Sequence, residues 1–189
     1  MGRLIVEQII SVDGFAAEPD GGLGFVERAA GAETDDAGQL EMLKGVGAIL
    51  LGANTYRMFS SYWPTPQSSS EAVAEPINRL PKHVFSNSSE SAPWGDLAPA
   101  TVEGGNPVEV AQRLTSAYKR DVIVWGSLEL SQALLEAGVV DHLRLRIVPV
   151  LIGSGLGFAD TLAHQAKLAL VSAEPQPSGH VTLAYDVGR

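Results

Sequence analysis

A chain of 189 residues, 45% of them hydrophobic, can bury one sizeable core, and we expect a single domain over residues 1–189. The absence of cysteine excludes disulfide frameworks, thiolate metal ligands and a cysteine nucleophile, and no metal site is predicted. A net charge of −9 argues against a nucleic-acid partner, and no apolar run reaches the roughly 18 residues that suggest a membrane span. The N-terminus does not resemble a signal peptide, so we expect a soluble cytoplasmic protein.

The first predicted strand covers residues 4–10 and ends in the turn Ser-Val-Asp-Gly-Phe. Within that turn, Asp13 is either an ordinary turn residue or a carboxylate that acts on a ligand at the strand exit. Residues 16–31 follow, rich in glycine, alanine and acids, and are predicted to be a loop without regular structure. A loop of this length in a compact domain is often functional.

A helix is predicted over residues 33–44, with Leu40 and Leu43 facing inward. Its first turn carries Asp35 and Asp36, and acids at this position commonly interact with the helix dipole. That interaction explains both carboxylates without any role in a site.

Two strand-to-helix turns stand out in the middle of the chain. An apolar run over residues 46–51 leads into Gly-Ala-Asn-Thr, and a second run over residues 122–125 leads into Gly-Ser. Each glycine lets a ligand approach the backbone, and Thr55 and Ser127 offer hydroxyl groups beside the free N–H groups of a new helix. Ordinary turns have the same composition, and Glu129 competes for the positive helix end. Two such turns in one small sheet nevertheless favour a phosphate site.

Between these turns the sequence predicts a loop over residues 60–70, a short helix over residues 72–79 and a third strand over residues 83–85. The polar loop Ser-Asn-Ser-Ser follows that strand, and it either holds a ribose or phosphate or is simply solvated. The clearest helix start comes at Asn106, with proline in the first helical position and an acid in the third. That helix runs to about Arg120, and the alternation of strands and helices predicts a mainly parallel sheet.

Towards the C-terminus the pattern changes to strict alternation over residues 140–150, which is typical of a long strand with one polar face. Arg144 and Arg146 are expected to lie about 7 Å apart on that face, where they are solvated or form local ion pairs, bind an anion, or meet acids on a second subunit. The glycine-rich run that follows lacks the spacing of a dinucleotide fingerprint, and we interpret it as a loop in close approach to a ligand. Residues 168–173 and 180–187 predict a terminal antiparallel hairpin.

The order of these motifs resembles the dihydrofolate reductase-like superfamily. The resemblance is carried by Ser-Val-Asp-Gly-Phe from residue 11, Leu-Gly-Ala-Asn-Thr-Tyr from residue 51, Tyr-Trp-Pro from residue 62, Val-Trp-Gly-Ser from residue 124 and Ile-Val-Pro-Val-Leu-Ile-Gly from residue 147. It is strongest with the branch that includes the C-terminal reductase domain of bacterial riboflavin biosynthesis, and it covers about residues 4–187. The fold that it implies is a three-layer α/β/α domain with a mostly parallel central sheet and a C-terminal antiparallel hairpin, often as a homodimer.

The resemblance also implies an NADPH site. The cofactor phosphates are expected against the two glycine turns, the adenosine near the polar loop after the third strand, and the nicotinamide beside the end of the first strand. The positions that match these family sites are Gly52, Asn54, Thr55, Gly126, Ser127, Leu128, Ser86, Asn87, Ser88, Ile10 and Ser11. An ungapped comparison back from the first glycine turn places Asp36 where the folate enzymes keep an acid, although Asp35 would serve equally well.

Two departures from the family pattern concern the cofactor. Ala53 stands where dihydrofolate reductases commonly carry a basic residue, so one clamp on the 2′-phosphate is missing, and Ser127 stands where many members have a second glycine. Arg57 or Lys82 would have to replace the clamp. The preference for NADP over NAD is therefore implied by the family and not by a visible arginine.

We hypothesise an NADPH-dependent reductase that transfers hydride to a C=N or C=O bond of a small pterin- or pyrimidine-like substrate. Asp36 or Asp13 would supply the proton or orient the substrate. The alternative enzyme is a riboflavin-pathway reductase of a ribosylaminopyrimidine phosphate, with Arg144 and Arg146 as the phosphate site. The alternative from another class is a non-catalytic, nucleotide-binding dimeric scaffold, and a test for NADPH turnover would separate it from the enzymes.

Overall fold

In a computed structural model, residues 2–29 and 37–188 are described. The strands within them are β1 (Leu4–Ser11), β2 (Phe15–Ala17), β3 (Val46–Gly52), β4 (Lys82–Phe85), β5 (Thr101–Glu103), β6 (Asp121–Val124), β7 (His142–Val148), β8 (Leu156–Gly157), β9 (Leu168–Pro175) and β10 (Val181–Val187). The helices are α1 (Gly24–Ala29), α2 (Ala37–Lys44), α3 (Ala53–Tyr62), α4 (Ala74–Arg79), α5 (Pro107–Ala117) and α6 (Leu128–Glu136). None of these helices is long and apolar enough to cross a membrane.

Eight of the described strands form the main sheet, in the order β5-β4-β3-β6-β1-β7-β10-β9, and β2 pairs with β8 separately. The six strands from β5 to β7 run parallel, and β10 and β9 continue the sheet as an antiparallel hairpin. The predictions of a mostly parallel sheet and of a terminal hairpin are both confirmed.

The helices cover the sheet on both faces. On one face, α5 and α6 contribute Leu114 and Leu134 to a core that includes alternate residues of β1 and β6. On the other face, Leu43 of α2, Phe59 of α3 and Ile77 of α4 pack against the opposite residues of the same strands. Residues 122–124 are fully buried because helices cover both faces of the sheet. A strand in this position has to be apolar at every residue, which explains the continuous apolar run. The result is the predicted three-layer α/β/α arrangement.

The helix predicted at Asn106 begins as expected. The Asn106 side chain accepts a hydrogen bond from the backbone N–H of Val108 over 2.8 Å, and Pro107 is the first helical residue. The helix ends at Ala117, earlier than predicted, because Tyr118 adopts an extended conformation.

The early loop is more ordered than predicted. Its described part, residues 16–29, contains part of β2 and all of α1, whose Phe25 is fully buried and anchors the segment. Of the helix predicted over residues 33–44, the part from Ala37 to Lys44 is described and is helical, whereas Asp35 and Asp36 lie outside the described residues. The short strand β5 was not predicted.

Candidate active site

The two glycine turns are in direct contact. Since β3 and β6 are parallel neighbours, their carboxyl ends lie side by side, and the backbone N–H of Gly52 donates to the carbonyl of Gly126 over 2.9 Å. A Cβ on Gly52 would lie 2.5 Å from Ser127 Oγ, and a Cβ on Gly126 would lie 2.6 Å from Thr55 Oγ1. Gly126 also has a φ of +63°. Both positions therefore require glycine, because each turn leaves no room for a side chain on the other.

Each turn leads into the N-terminus of a helix that has no side-chain cap. Gly52 precedes α3 and Ser127 precedes α6, and neither residue provides a capping hydrogen bond. Although serine is a common capping residue, the Ser127 hydroxyl does not cap α6. The first N–H groups of both helices lack a side-chain acceptor, and such groups favour an anion. Glu129, in the first turn of α6, acts against that preference.

A cavity of about 490 Å³ opens across these turns. Of the predicted cofactor residues, Asn54, Thr55, Gly126, Ser127 and Leu128 line it. Its walls are mainly apolar, with contributions from Val26, Met58, Phe59, Trp63, Val73 and Ile77. A largely apolar cleft with a few polar groups at the carboxyl ends of parallel strands is the usual form of a small-molecule site in such a sheet.

The cavity lining also contains a buried carboxylate, that of Glu7. Glu7 of β1 is only 4% exposed. Its Oε1 accepts hydrogen bonds from Gln39 Nε2 over 2.8 Å and from Trp125 Nε1 over 2.9 Å. Its Oε2 accepts one from Arg144 Nε over 2.9 Å. Glu7, Gln39 and Trp125 all line the cavity.

Sequence reasoning missed this network and did not identify Glu7 as the partner of Arg144. For the polar face of the strand over residues 140–150, solvation, local ion pairs, an anion site and a contact with a second subunit were all left open, and the structure shows Arg144 9% exposed and paired with Glu7. The pairing follows from the parallel register of β1 and β7, in which Glu7 lies opposite Arg144. An acid inside an otherwise apolar strand was the available signal, because a buried carboxylate requires a partner.

Arg146 differs from Arg144 in its environment. It lines the cavity, and it makes no ion pair or hydrogen bond with any described residue. Its charge is nevertheless felt by a neighbour, since burial and the nearby Arg146 lower the pKa of His180. Of the predicted arginine pair, only Arg146 is therefore available to a ligand.

Asp13 does not have the buried environment and raised pKa expected of a carboxyl that donates a proton near neutral pH. It is absent from the cavity lining, and its carboxylate accepts hydrogen bonds from Ser11 Oγ over 2.6 Å and from the backbone N–H of Gly153 over 2.8 Å. These donors hold the pKa of the exposed Asp13 carboxyl below its usual value. The residue ties the β1 exit to the loop after β7. The other predicted acid, Asp36, lies outside the described residues.

The two residues predicted to lie beside a nicotinamide are Ile10 and Ser11 at the end of β1. Ile10 is buried in the core beneath α5 and α6, and the hydroxyl of buried Ser11 accepts from the N–H of Phe15 over 3.0 Å. Neither side chain lines the cavity, whereas Gln8 and Ile9 do.

The polar loop predicted for adenosine lies beyond the main cavity. Because β4 pairs with β3 and places Phe85 opposite Gly52, the loop starts beside the first glycine turn. Ser86 Oγ accepts from the N–H groups of Ser88 and Ser89, and Asn87 Oδ1 accepts from the N–H of Gly105 over 2.9 Å.

The two basic residues considered for a 2′-phosphate are differently placed. Lys82 is buried, and its Nζ donates to the carbonyls of Asn78 and Leu80 over 2.8 and 2.7 Å. Burial lowers the pKa of Lys82 to about 8. Arg57 is exposed and hydrogen-bonded to Asn54 Oδ1, so it is the candidate that remains near the cavity.

Comparison with known proteins places these features in a family. A family model described as the RibD C-terminal domain matches residues 3–182. The uncharacterized protein YyaP of Bacillus subtilis (strain 168) is 22% identical over 185 residues, which cover 97% of this chain and 94% of that protein.

Solved structures show the same fold. A putative riboflavin biosynthesis protein from Shewanella sp. PV-4 superposes with a TM-score of 0.80 at 20% identity, over 99% of both chains. The dihydrofolate reductase of Enterococcus faecalis, solved in complex with NADP(H), superposes with a TM-score of 0.64 at 13% identity, over 100% of this chain and 98% of that one. The dihydrofolate reductase-like fold implied by the sequence motifs is confirmed.

Proposed function

From the premise that this chain belongs to the family of the RibD C-terminal domain, we propose that it is an NADPH-dependent reductase of a small heterocyclic substrate. The reaction is hydride transfer to a C=N or C=O bond of a pterin- or pyrimidine-like ring. The observation that carries the proposal is the contact between Gly52 and Gly126, which brings two uncapped helix N-termini to one apolar cavity.

The residues at the glycine turns fit the phosphates of a dinucleotide. A side chain on either glycine would collide with the opposite turn, so glycine at both positions lets the starts of α3 and α6 lie close together. The N–H groups at the starts of α3 and α6 would hold the phosphates, with Thr55 and Ser127 beside them. NADPH, when bound, supplies the hydride.

The rest of the cavity would hold the substrate ring. Phe59, Trp63 and Ile77 provide apolar surface that excludes water from the reacting atoms. Substrate alignment would come from the fixed polar groups on β1 and α2, since orientation is the main task left to the protein when the cofactor carries the chemistry. Asp36 and Asp13 are the two proton sources proposed from the sequence, and Asp13 does not line the cavity. If Asp36 is the source, Asp36→Asn should lower turnover without changing the affinity for NADPH.

Titration with NADPH tests the proposal directly. Trp63 and Trp125 line the cavity, so we expect their emission to be quenched with energy transfer to bound NADPH. A panel of pterins, folates and pyrimidines should contain at least one compound that oxidises NADPH only when the protein is present. Binding without turnover would instead favour the nucleotide-binding scaffold, and the absence of both would reject a dinucleotide site.

Arg146 favours a second candidate within the enzymes. It is a guanidinium in the cavity lining without a partner among the described residues, and a phosphate on the substrate would pair with it. The reaction would then be reduction of a ribosylaminopyrimidine phosphate. With that substrate, Arg146→Gln should raise KM and leave kcat nearly unchanged, whereas a neutral pterin should show no change in KM. Equal effects on both substrates would argue against this candidate.

A further inference from the structure

The amide of Gln39 is held in one orientation by its neighbours. Gln39 is 8% exposed, and its Nε2 donates to Glu7 Oε1. The same carboxylate receives the indole N–H of Trp125 and a guanidinium N–H of Arg144, which are groups that can only donate. Rotation of the Gln39 amide would bring its carbonyl oxygen against the carboxylate of Glu7, so the NH₂ group must face Glu7.

The carbonyl oxygen of Gln39 is consequently left for a ligand. No described residue donates a hydrogen bond to this oxygen, and it is not among the atoms sealed in the core without a partner. Gln39 lines the cavity together with Glu7 and Trp125. The arrangement presents an oriented acceptor in a cavity with mainly apolar walls.

We infer that Gln39 is a specificity-determining residue, whose carbonyl accepts a hydrogen bond from a ring N–H or amino group of the substrate, and that Glu7 is the positioning residue that fixes it. The inference rests on the proposed function, because it takes the cavity as the site of a heterocycle. Glu7 and Arg144 neutralise each other, and Gln39 carries no charge. This part of the cavity therefore selects a neutral ring that bears a donor, and a ring without one leaves the carbonyl unpaired.

Two ring compounds test the inference on the unaltered protein. The probes are 6-methylpterin, which carries ring N–H and amino donors, and its counterpart methylated at N3 and on the 2-amino group. Each is titrated into the NADPH-saturated protein, with tryptophan emission as the readout. We expect 6-methylpterin to bind about 10- to 100-fold more tightly, the range for leaving one buried acceptor unpaired. Equal binding of the two probes, or no binding of 6-methylpterin, would overturn the inference.

Variants locate the effect at Gln39. Gln39→Leu and Gln39→Met keep the volume and remove the carbonyl, so the ratio of the two affinities should fall towards one while NADPH still binds. The matched control is Gln132→Leu, which removes a buried glutamine amide outside the cavity that donates to the carbonyl of Phe158 over 3.0 Å. That variant should keep the wild-type ratio. An unchanged ratio in a folded Gln39 variant would overturn the inference.

Glu7→Gln tests the positioning role. The new amide can accept or donate, so Gln39 is no longer restricted to one orientation, and the affinity ratio should fall although Gln39 itself is unaltered. A purely structural role for Glu7 would lower the melting temperature and leave the ratio intact. If the unaltered protein does not bind NADPH, the result counts against the proposed function. If it binds NADPH but binds the two probes equally, the result counts against the role of Gln39 alone.

Discussion

Glu7 and Arg144 are 137 positions apart in the chain and form an ion pair of 2.9 Å between two parallel strands. Both are almost fully buried. The pair has two roles. Arg144 neutralises the charge of Glu7 in the core, and Glu7 in turn holds the side chain of Gln39, which the substrate is proposed to contact.

Removal of one partner should be costly. Arg144→Met leaves the Glu7 carboxylate buried without a counterion, and we expect the free energy of unfolding to fall by about 3–5 kcal/mol. The double variant Glu7→Leu with Arg144→Met should recover part of that loss, because two apolar side chains then replace the ion pair. Urea unfolding monitored by circular dichroism measures both changes.

An exposed ion pair provides the control. Arg3 pairs with Asp121 over 3.0 Å, but the Arg3 side chain is 57% exposed. Arg3→Met should cost no more than about 1 kcal/mol. If Arg144→Met is no more costly than Arg3→Met, the buried pair does not have the energetic role proposed for it.

A side chain at Gly126, in the second glycine turn, should weaken NADPH binding. Gly126→Ala introduces a Cβ that would lie 2.6 Å from Thr55 Oγ1, at a φ of +63°. We expect the turn to shift and NADPH affinity to fall about tenfold or more, which corresponds to about 1.4 kcal/mol. Fluorescence titration with NADPH measures the change.

Gly138 offers a matched comparison at the other end of α6. It has a φ of +65°, and a Cβ there would meet no atom within 4 Å. Gly138→Ala should carry a similar backbone strain of about 1–3 kcal/mol and leave NADPH binding unchanged. Equal NADPH affinity in the two variants would show that crowding at the turns does not matter for the cofactor.

Lys82 should make stability depend on pH in the alkaline range. Its pKa is lowered by burial to about 8 in the folded protein, against 10.5 for an unperturbed lysine. Between these values the unfolded chain binds more protons than the folded protein, so stability from this group rises as the pH increases from about 8 to 10.5. The gain should be on the order of 1–2 kcal/mol, less than the full shift would give because of residual solvent screening.

Comparison with a variant isolates this contribution. Lys82→Met removes the titrating group, so the difference in unfolding free energy between wild type and variant should change in favour of wild type as the pH increases from 7 to 10. Lys44→Met, at a side chain that is 72% exposed, should show a constant difference. A constant difference for Lys82→Met as well would mean that the ammonium is not appreciably desolvated.

The features predicted from the sequence are those that depend on neighbouring residues. The Asn106 cap, the glycine turns and the hairpin each depend on a few adjacent residues whose local chemistry favours one conformation. The parallel sheet was predicted from the alternation of strands and helices, since a helix between two strands implies a crossover connection. The resemblance to a known fold added the prediction that the turns at Gly52 and Gly126 lie side by side.

The features that were missed depend on partners distant in the chain. Glu7 interrupts an apolar strand, and only the register with β7 reveals that Arg144 is its counterion. Gln39 lies on a weakly amphipathic helix, and nothing nearby in the sequence indicates that it reaches β1. β5 has three residues, which is too short for an alternating pattern to be recognised.

The outer strand of the sheet supports the proposed homodimer. Within the described residues β9 pairs only with β10, and Leu168, Leu170 and Val171 on it are 43%, 60% and 56% exposed. An apolar edge strand with free backbone groups tends to pair with another chain. We propose that a second copy of this chain covers β9.

Light scattering coupled to size exclusion should give twice the monomer mass at micromolar concentration. Leu170→Lys combined with Val171→Lys should shift the mass towards the monomer, because two charges would have to be buried at the interface. Leu97→Lys, at a side chain that is 49% exposed on a loop, should leave the dimer intact. A wild-type protein that stays monomeric, or a lysine variant of β9 that stays dimeric, would exclude this edge as the contact between subunits.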